Sequence, residues 1–212
     1  MKLIITENQF KFIVKERRDY TEGFVDGLDD LLSILELKFP QIVDYKDVIS
    51  NFIVKSGCPA IEIKGFKIGA AGLALHDKVV YNPNIFNTPN LGYLLYVIFH
   101  EIAHQYQYRK YGRDKMYELY NGVLPINDAV EFLKYTENTA DQFAIRKCRE
   151  LIKLGVPNMN GVPSKGYYSG LPDMSLKIML VKFRNLLRQH HLEDNERISE
   201  ILYNNIIATM QQ

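Results

Sequence analysis

Apolar residues recur at helical spacing near the start of the chain. Phe10, Ile13 and Val14 keep one face together with Arg17, and Thr6 followed by Gln9 is a capping-box start. A second helix is predicted from Leu28 to Phe39, ended by Pro40. From about Ile49 to Asn82 the pattern shortens into β-rich pieces broken by glycine. These are Ile61-Glu62-Ile63, Phe66-Lys67-Ile68 and Lys78-Val79-Val80-Tyr81, the last closed by Asn82-Pro83-Asn84. Thr88-Pro89 then reads as an N-cap followed by proline at the first helical position. An apolar helix follows from Leu91 to about Tyr111, where Gly112 supplies the stop. After the turn formers Tyr120-Asn121-Gly122-Val123-Leu124-Pro125, Asp128 with Glu131 opens another helix that ends near Gly155-Val156-Pro157. A glycine- and proline-bearing loop over 157–173 and two helices, about Met174 to His190 and Glu193 to Met210, complete the pattern.

This order of elements predicts an α+β fold: a small sheet in the middle of the chain with helices on either side. The expected organisation is a single domain over 1–212, with an N-terminal helical segment over 1–48, a central region over 49–156, and a loop with C-terminal helices over 157–212. A chain of 212 residues can bury a core without disulfides. Its 47% hydrophobic and 24% charged content argues against wholesale disorder. With 26 Lys+Arg against 25 Asp+Glu, the net charge of +1 lacks the footprint of a dedicated nucleic-acid binder. Lys15-Glu16-Arg17-Arg18, the densest basic run, reads as a solvated helix face. Two cysteines at unrelated spacing form no disulfide framework. The opening Met1-Lys2-Leu3-Ile4-Ile5-Thr6-Glu7 is too short for a signal-peptide core, and no run is long enough to span a membrane, so a cytoplasmic location is expected.

The chemistry concentrates at His100-Glu101-Ile102-Ala103-His104. On a helix, residues four apart lie on one face, so the two imidazoles can hold one metal ion from the same side. Glu101 is rotated by about a hundred degrees from His100, which sets its carboxylate beside the ion without taking a ligand position. Two solvated surface histidines would be the ordinary alternative. The preceding Leu94-Leu95-Tyr96-Val97-Ile98-Phe99 is apolar nearly all round, however, and a helix of that kind is buried, where imidazoles need partners.

A catalytic zinc needs a third protein ligand and an open position. Glu137, Ala140, Asp141, Ala144 and Cys148 are spaced three or four apart and form one helix face carrying two carboxylates among small residues. Glu137 is the candidate ligand, and Asp141 the candidate acceptor for the free N–H of a ligating imidazole. The alternative is an exposed Glu/Asp pair on a charged face.

The H-E-x-x-H pattern followed some thirty residues later by E-x-x-A-D resembles the gluzincin metallopeptidases. Glu137-Asn138-Thr139-Ala140-Asp141-Gln142-Phe143-Ala144 is most similar to the E-x-x-A-[ND]-x-F-A signature of the small ImmA/IrrE-type peptidases, compact zincins often coded by phages and mobile elements. The opening of the chain resembles N-termini common among tailed-phage proteins. The resemblance covers roughly residues 60–150 and departs afterwards, where Ile145-Arg146-Lys147-Cys148-Arg149 replaces the usual leucine- and proline-bearing ending. It implies a minimal zincin core, with a small twisted sheet packed on the histidine helix and a Glu-bearing helix. It also implies Zn2+ on His100, His104 and Glu137. No helix-turn-helix partner region is evident, so the repressor-cleaving role of that family does not carry over.

Peptide deformylases share H-E-x-x-H but take an upstream cysteine as third ligand, and Ser56-Gly57-Cys58-Pro59 lies at a comparable distance. The leucine and serine expected after that cysteine are absent, as is the glycine-rich motif; a small buried thiol is the ordinary reading of Cys58.

The implied reaction is peptide hydrolysis, with Glu101 as general base and then acid and a peptide or protein as substrate. In zincins an edge strand before the histidine helix pairs with substrate backbone, and Val79, Val80 and Tyr81 are the candidates for it. Tyr168 or Tyr167, in a glycine-flanked loop, is the expected donor to the developing oxyanion, with His190-His191 as the other choice. A zinc-containing structural or regulatory module that hydrolyses nothing is the alternative from another class, and an intact Glu101 counts against it.

Overall fold

The computed structural model describes residues 25–58, 60–64, 71–74, 77–112, 124–166 and 171–178. The expected first helix around Phe10, the strand Phe66-Lys67-Ile68 and the helix from Glu193 lie outside these residues, as do Tyr167, Tyr168, His190 and His191.

Helix α1, Leu28–Lys38, buries Leu28, Leu31, Leu32 and Leu35, the three-and-four spacing of one helix face. Pro40 ends it and opens a 3-10 segment, Pro40–Tyr45, that leads into α2, Lys46–Lys55. The β-rich expectation beginning at Ile49 is corrected here. Val48, Ile49, Ile53 and Val54 favour strands locally, but Ile49 and Ile53 stand four apart and are both fully buried, so packing on α1 decides for helix. The division expected after residue 48 falls inside α2.

Three short strands follow: β1, Ile61–Ile63; β2, Gly72–Ala74; and β3, Val79–Tyr81. Their spatial order is β1-β3-β2. β3 runs parallel to β1, with Ile61 opposite Val79 and Ile63 opposite Tyr81. It runs antiparallel to β2, with Gly72 opposite Tyr81 and Ala74 opposite Val79. The proposed substrate strand Val79, Val80, Tyr81 is thus the centre of the sheet. All three residues are buried and both edges are already paired, so no peptide can add there. A continuous apolar run of this kind fits a strand covered on both faces. Among the described residues, the edge strands are β1 and β2.

A 3-10 turn, Pro83–Asn87, delivers the chain to α3, Leu91–Tyr111, whose N-cap is Asn90. Thr88 and Pro89 lie before the helix, and the Thr88 hydroxyl accepts the Asn90 backbone N–H at 3.3 Å. Gly112, at φ 82°, ends the helix with its N–H on Tyr108 O. α4, Ile126–Lys153, starts two residues before the expected Asp128 and runs antiparallel to α3, with Cys148 at Gly92 and Gln107 at Thr136. Ala140 and Ala144 are fully buried on α4 and keep this contact close.

One core cluster joins α1, α2, the sheet, α3 and the C-terminal half of α4. A smaller one joins Ala129, Val130 and Leu133 of α4 to Leu176, in the short helical run 173–178. The sheet is tied to α3 by Tyr81, whose hydroxyl donates to Ile98 O at 2.9 Å, and by Gln105, whose amide donates to Lys78 O at 2.7 Å. The architecture is therefore mixed helix and strand, and no helix among the described residues is long and apolar enough to cross a membrane.

Candidate metal centre

The α3–α4 pair brings His100, His104 and Glu137 together, with one ligand atom from each lying within 4.8 Å of the others. His100 Nε2 and His104 Nε2 are 3.1 Å apart. Glu137 Oε2 lies 3.3 Å from the first and 3.6 Å from the second. Two imidazole nitrogens and a carboxylate oxygen converging in a largely buried site need hydrogen or a metal ion between them, because acceptors alone repel. A proton can serve that purpose, and so can a metal ion.

Asp141, fully buried one turn along α4 from Glu137, sits with Oδ1 2.9 Å from His100 Nδ1. A carboxylate only accepts, so His100 Nδ1 carries a hydrogen towards Asp141, and the protonated ring of the metal-free protein also donates from Nε2 to Glu137. The Tyr96 hydroxyl donates to the same Oδ1 at 2.5 Å. Gly166 packs flat against this carboxylate; a Cβ there would stand 2.5 Å from Oδ2, so only glycine lets the chain pass. On the other imidazole, His104 Nδ1 meets Gln107 Oε1 at 2.8 Å. Tyr96, Gln107 and Gly166 were not singled out in the sequence. Gln107 follows His104 by three positions, the spacing of helix neighbours, which is the one signal it carried.

Glu101 is 4% exposed and does not join the converging atoms. It faces β2 instead. A Cβ on Gly72 would come within 2.6 Å of Glu101 Cγ, and the Ala74 backbone N–H bonds its carboxylate. Burial raises the Glu101 pKa above the ordinary carboxylate value, with the two nearby imidazoles opposing.

Cys58 is 1% exposed within the main core, and its thiol donates to Ala60 O at 3.6 Å. Burial pushes that thiol up to about 12, against the smaller pull of Arg109. It is not part of the His100–His104 group, which places the cysteine-ligand alternative outside this centre. Tyr106, more than half exposed, lines a groove of about 260 Å³ between α3 and α4 with Lys110, Tyr135, Phe143 and Arg146.

Without metal, the cluster holds protons. Burial would lower the His100 pKa, but hydrogen bonds to Asp141 and Glu137 outweigh it and push it up to about 10. Burial would raise Glu137, but His104 and the hydrogen bonds from both imidazoles hold it well below the carboxylate range. The His100 contribution to metal-free stability is therefore complete below an unfolded pKa of about 6.5 and is lost as pH rises through about 10. The Glu137 contribution is present above its ordinary value of 4.5 and is lost as pH falls. A metal ion bound here would displace these protons, so its affinity would rise with pH, by up to about tenfold per unit for each proton released. With chelator present, the Tm should fall between about pH 7 and 10, more steeply than in His100→Gln. The gain in Tm from added zinc should widen from about pH 6 to 8. A chelated wild-type Tm that rises over the first range would contradict this account.

Comparison with protein-family models, with curated proteins and with solved structures returns no match for this chain.

Proposed function

We propose that the protein is a zinc-dependent peptidase that holds its ion on His100, His104 and Glu137 and uses Glu101 as general base. The donor set supports zinc: two imidazole nitrogens and one carboxylate oxygen, three protein ligands in all, leave room for water or substrate. A metal in that position supplies Lewis-acid polarisation of a carbonyl and makes a water molecule more acidic.

The observation that carries hydrolysis rather than a purely structural site is the placement of Glu101. It is buried beside the ligating histidines, outside the ligand set, with its pKa raised. A structural site has no use for such a group. Glu101 takes the proton of the attacking water and returns it to the leaving amine. Asp141 holds His100 in place through the 2.9 Å contact of its Oδ1 with Nδ1, and the Tyr96 hydroxyl steadies that carboxylate by donating to the same oxygen.

The substrate-binding edge moves from β3 to β2. β2 has β3 on one side and no strand on the other among the described residues, and its Gly72 and Ala74 touch Glu101. A peptide laid along that outer edge would bring a backbone carbonyl alongside the base. The resemblance of Glu137–Ala144 to the ImmA/IrrE signature agrees with the same reading.

Chelator-treated protein should cleave no member of a broad peptide library, and stoichiometric zinc should restore cleavage. A library left intact by the zinc-loaded protein, or cut equally well after chelation, would sink the proposal.

A further inference from the structure

Gln107 is 4% exposed, so no solvent stands in for its partners. Its amide nitrogen lies 2.6 Å from Thr136 O and 2.9 Å from Thr139 Oγ1. Thr136 O is a backbone carbonyl and can only accept. The Thr139 hydroxyl donates to that same carbonyl at 2.9 Å, which leaves its oxygen to accept from Gln107. Both contacts demand the NH₂ end of the amide, and the flipped orientation would set oxygen against oxygen.

The other end of the amide is then fixed as oxygen, 2.8 Å from His104 Nδ1. An amide oxygen only accepts, so Nδ1 must carry a hydrogen. A neutral imidazole has one N–H, and Nε2 keeps its lone pair. That is the nitrogen 3.1 Å from His100 Nε2 and 3.6 Å from Glu137 Oε2. We infer that Gln107 is a positioning residue: anchored to α4 through Thr136 and Thr139, it fixes His104 as the Nδ1–H tautomer and aims Nε2 at the metal position. The inference rests on the metal reading above.

Why an amide stands here and a carboxylate holds His100 also follows. Asp141 Oδ1 meets two donors, the His100 ring and the Tyr96 hydroxyl, which an anion satisfies. The position of Gln107 lies between a donor, His104 Nδ1–H, and an acceptor, Thr136 O, and only a group with both characters bridges them. Gln107 thus has two jobs: accepting from His104 and tying α3 to α4.

Two variants divide these jobs. Gln107→Leu removes the acceptor and the tie together. Gln107→Glu removes the tie but keeps an acceptor for Nδ1–H. Zinc dissociation constants from chelator competition should rise about ten- to hundredfold for Gln107→Leu and return to within a few-fold of wild type for Gln107→Glu. Unchanged affinity in Gln107→Leu, or equal losses in both variants, would overturn the tautomer role. Long-range proton–nitrogen NMR of the zinc-loaded wild type gives an independent readout. His104 should show hydrogen on Nδ1 and metal on Nε2, and metal on Nδ1 would refute the inference. If the wild type takes up no zinc, the metal reading falls by itself. The same spectrum of metal-free protein then decides on Gln107, by whether the Nδ1–H signal of His104 is present in wild type and lost in Gln107→Leu.

Discussion

Glu101→Gln should keep its zinc and its fold and lose at least about a hundredfold in hydrolysis, the size expected when a general base is removed. Glutamine matches glutamate in volume, which matters because Gly72 leaves no slack: a Cβ there would already stand 2.6 Å from Glu101 Cγ. The amide oxygen can still accept the Ala74 N–H that the carboxylate accepts. What glutamine cannot do is take a proton. Because Glu101 is not among the converging ligand atoms, metal content should stay at the wild-type level. Equal turnover by the two proteins on a peptide that the wild type cleaves would rule out the mechanism. A loss of zinc along with activity would show instead that Glu101 is a ligand.

Removing Glu137 should have the opposite signature. Glu137→Ala withdraws the only carboxylate among three converging groups and leaves two imidazoles facing each other, their Nε2 atoms 3.1 Å apart. Zinc affinity should fall by more than the ten- to hundredfold typical of outer-shell partners, and the zinc-dependent gain in Tm should vanish with it. Elemental analysis and chelator competition measure the first effect, and thermal denaturation with and without zinc measures the second. One zinc per chain at wild-type affinity in Glu137→Ala would refute this ligand assignment.

The two long helices were legible in the sequence because their signals are long and periodic. An apolar helix ended by glycine and a carboxylate-bearing face at three-four spacing need no tertiary information. The residues around the imidazoles were less visible for a specific reason. Gln107 acts through Thr136 and Thr139, and nothing in the chain before folding says which turn of α4 will lie opposite it. β2 is only Gly72-Leu73-Ala74, without β-branched residues, and its importance comes from a contact with Glu101 that glycine permits by lacking a side chain. β3 misled in the other direction. Val79-Val80-Tyr81 is the strongest strand signal in the region, and strong apolar strands are drawn to the middle of a sheet, away from any open edge. At α2, local β preference lost to the burial of Ile49 and Ile53 on one helical face.

The centre is also divided by sequence distance. β2, β3 and α3 follow one another within a single run of chain, residues 72–111, so Glu101, its glycine-bearing strand and both imidazoles belong to one local body. Glu137 and Asp141 come from a second body, α4, across one helix–helix seam. A slide of α4 by one helical turn along that seam, about 5.4 Å, would carry Glu137 out of reach of both Nε2 atoms and leave Glu101 on β2 undisturbed. An ion held by these three residues would be a latch between the two bodies, and the α3–α4 seam a joint at which the site could be opened.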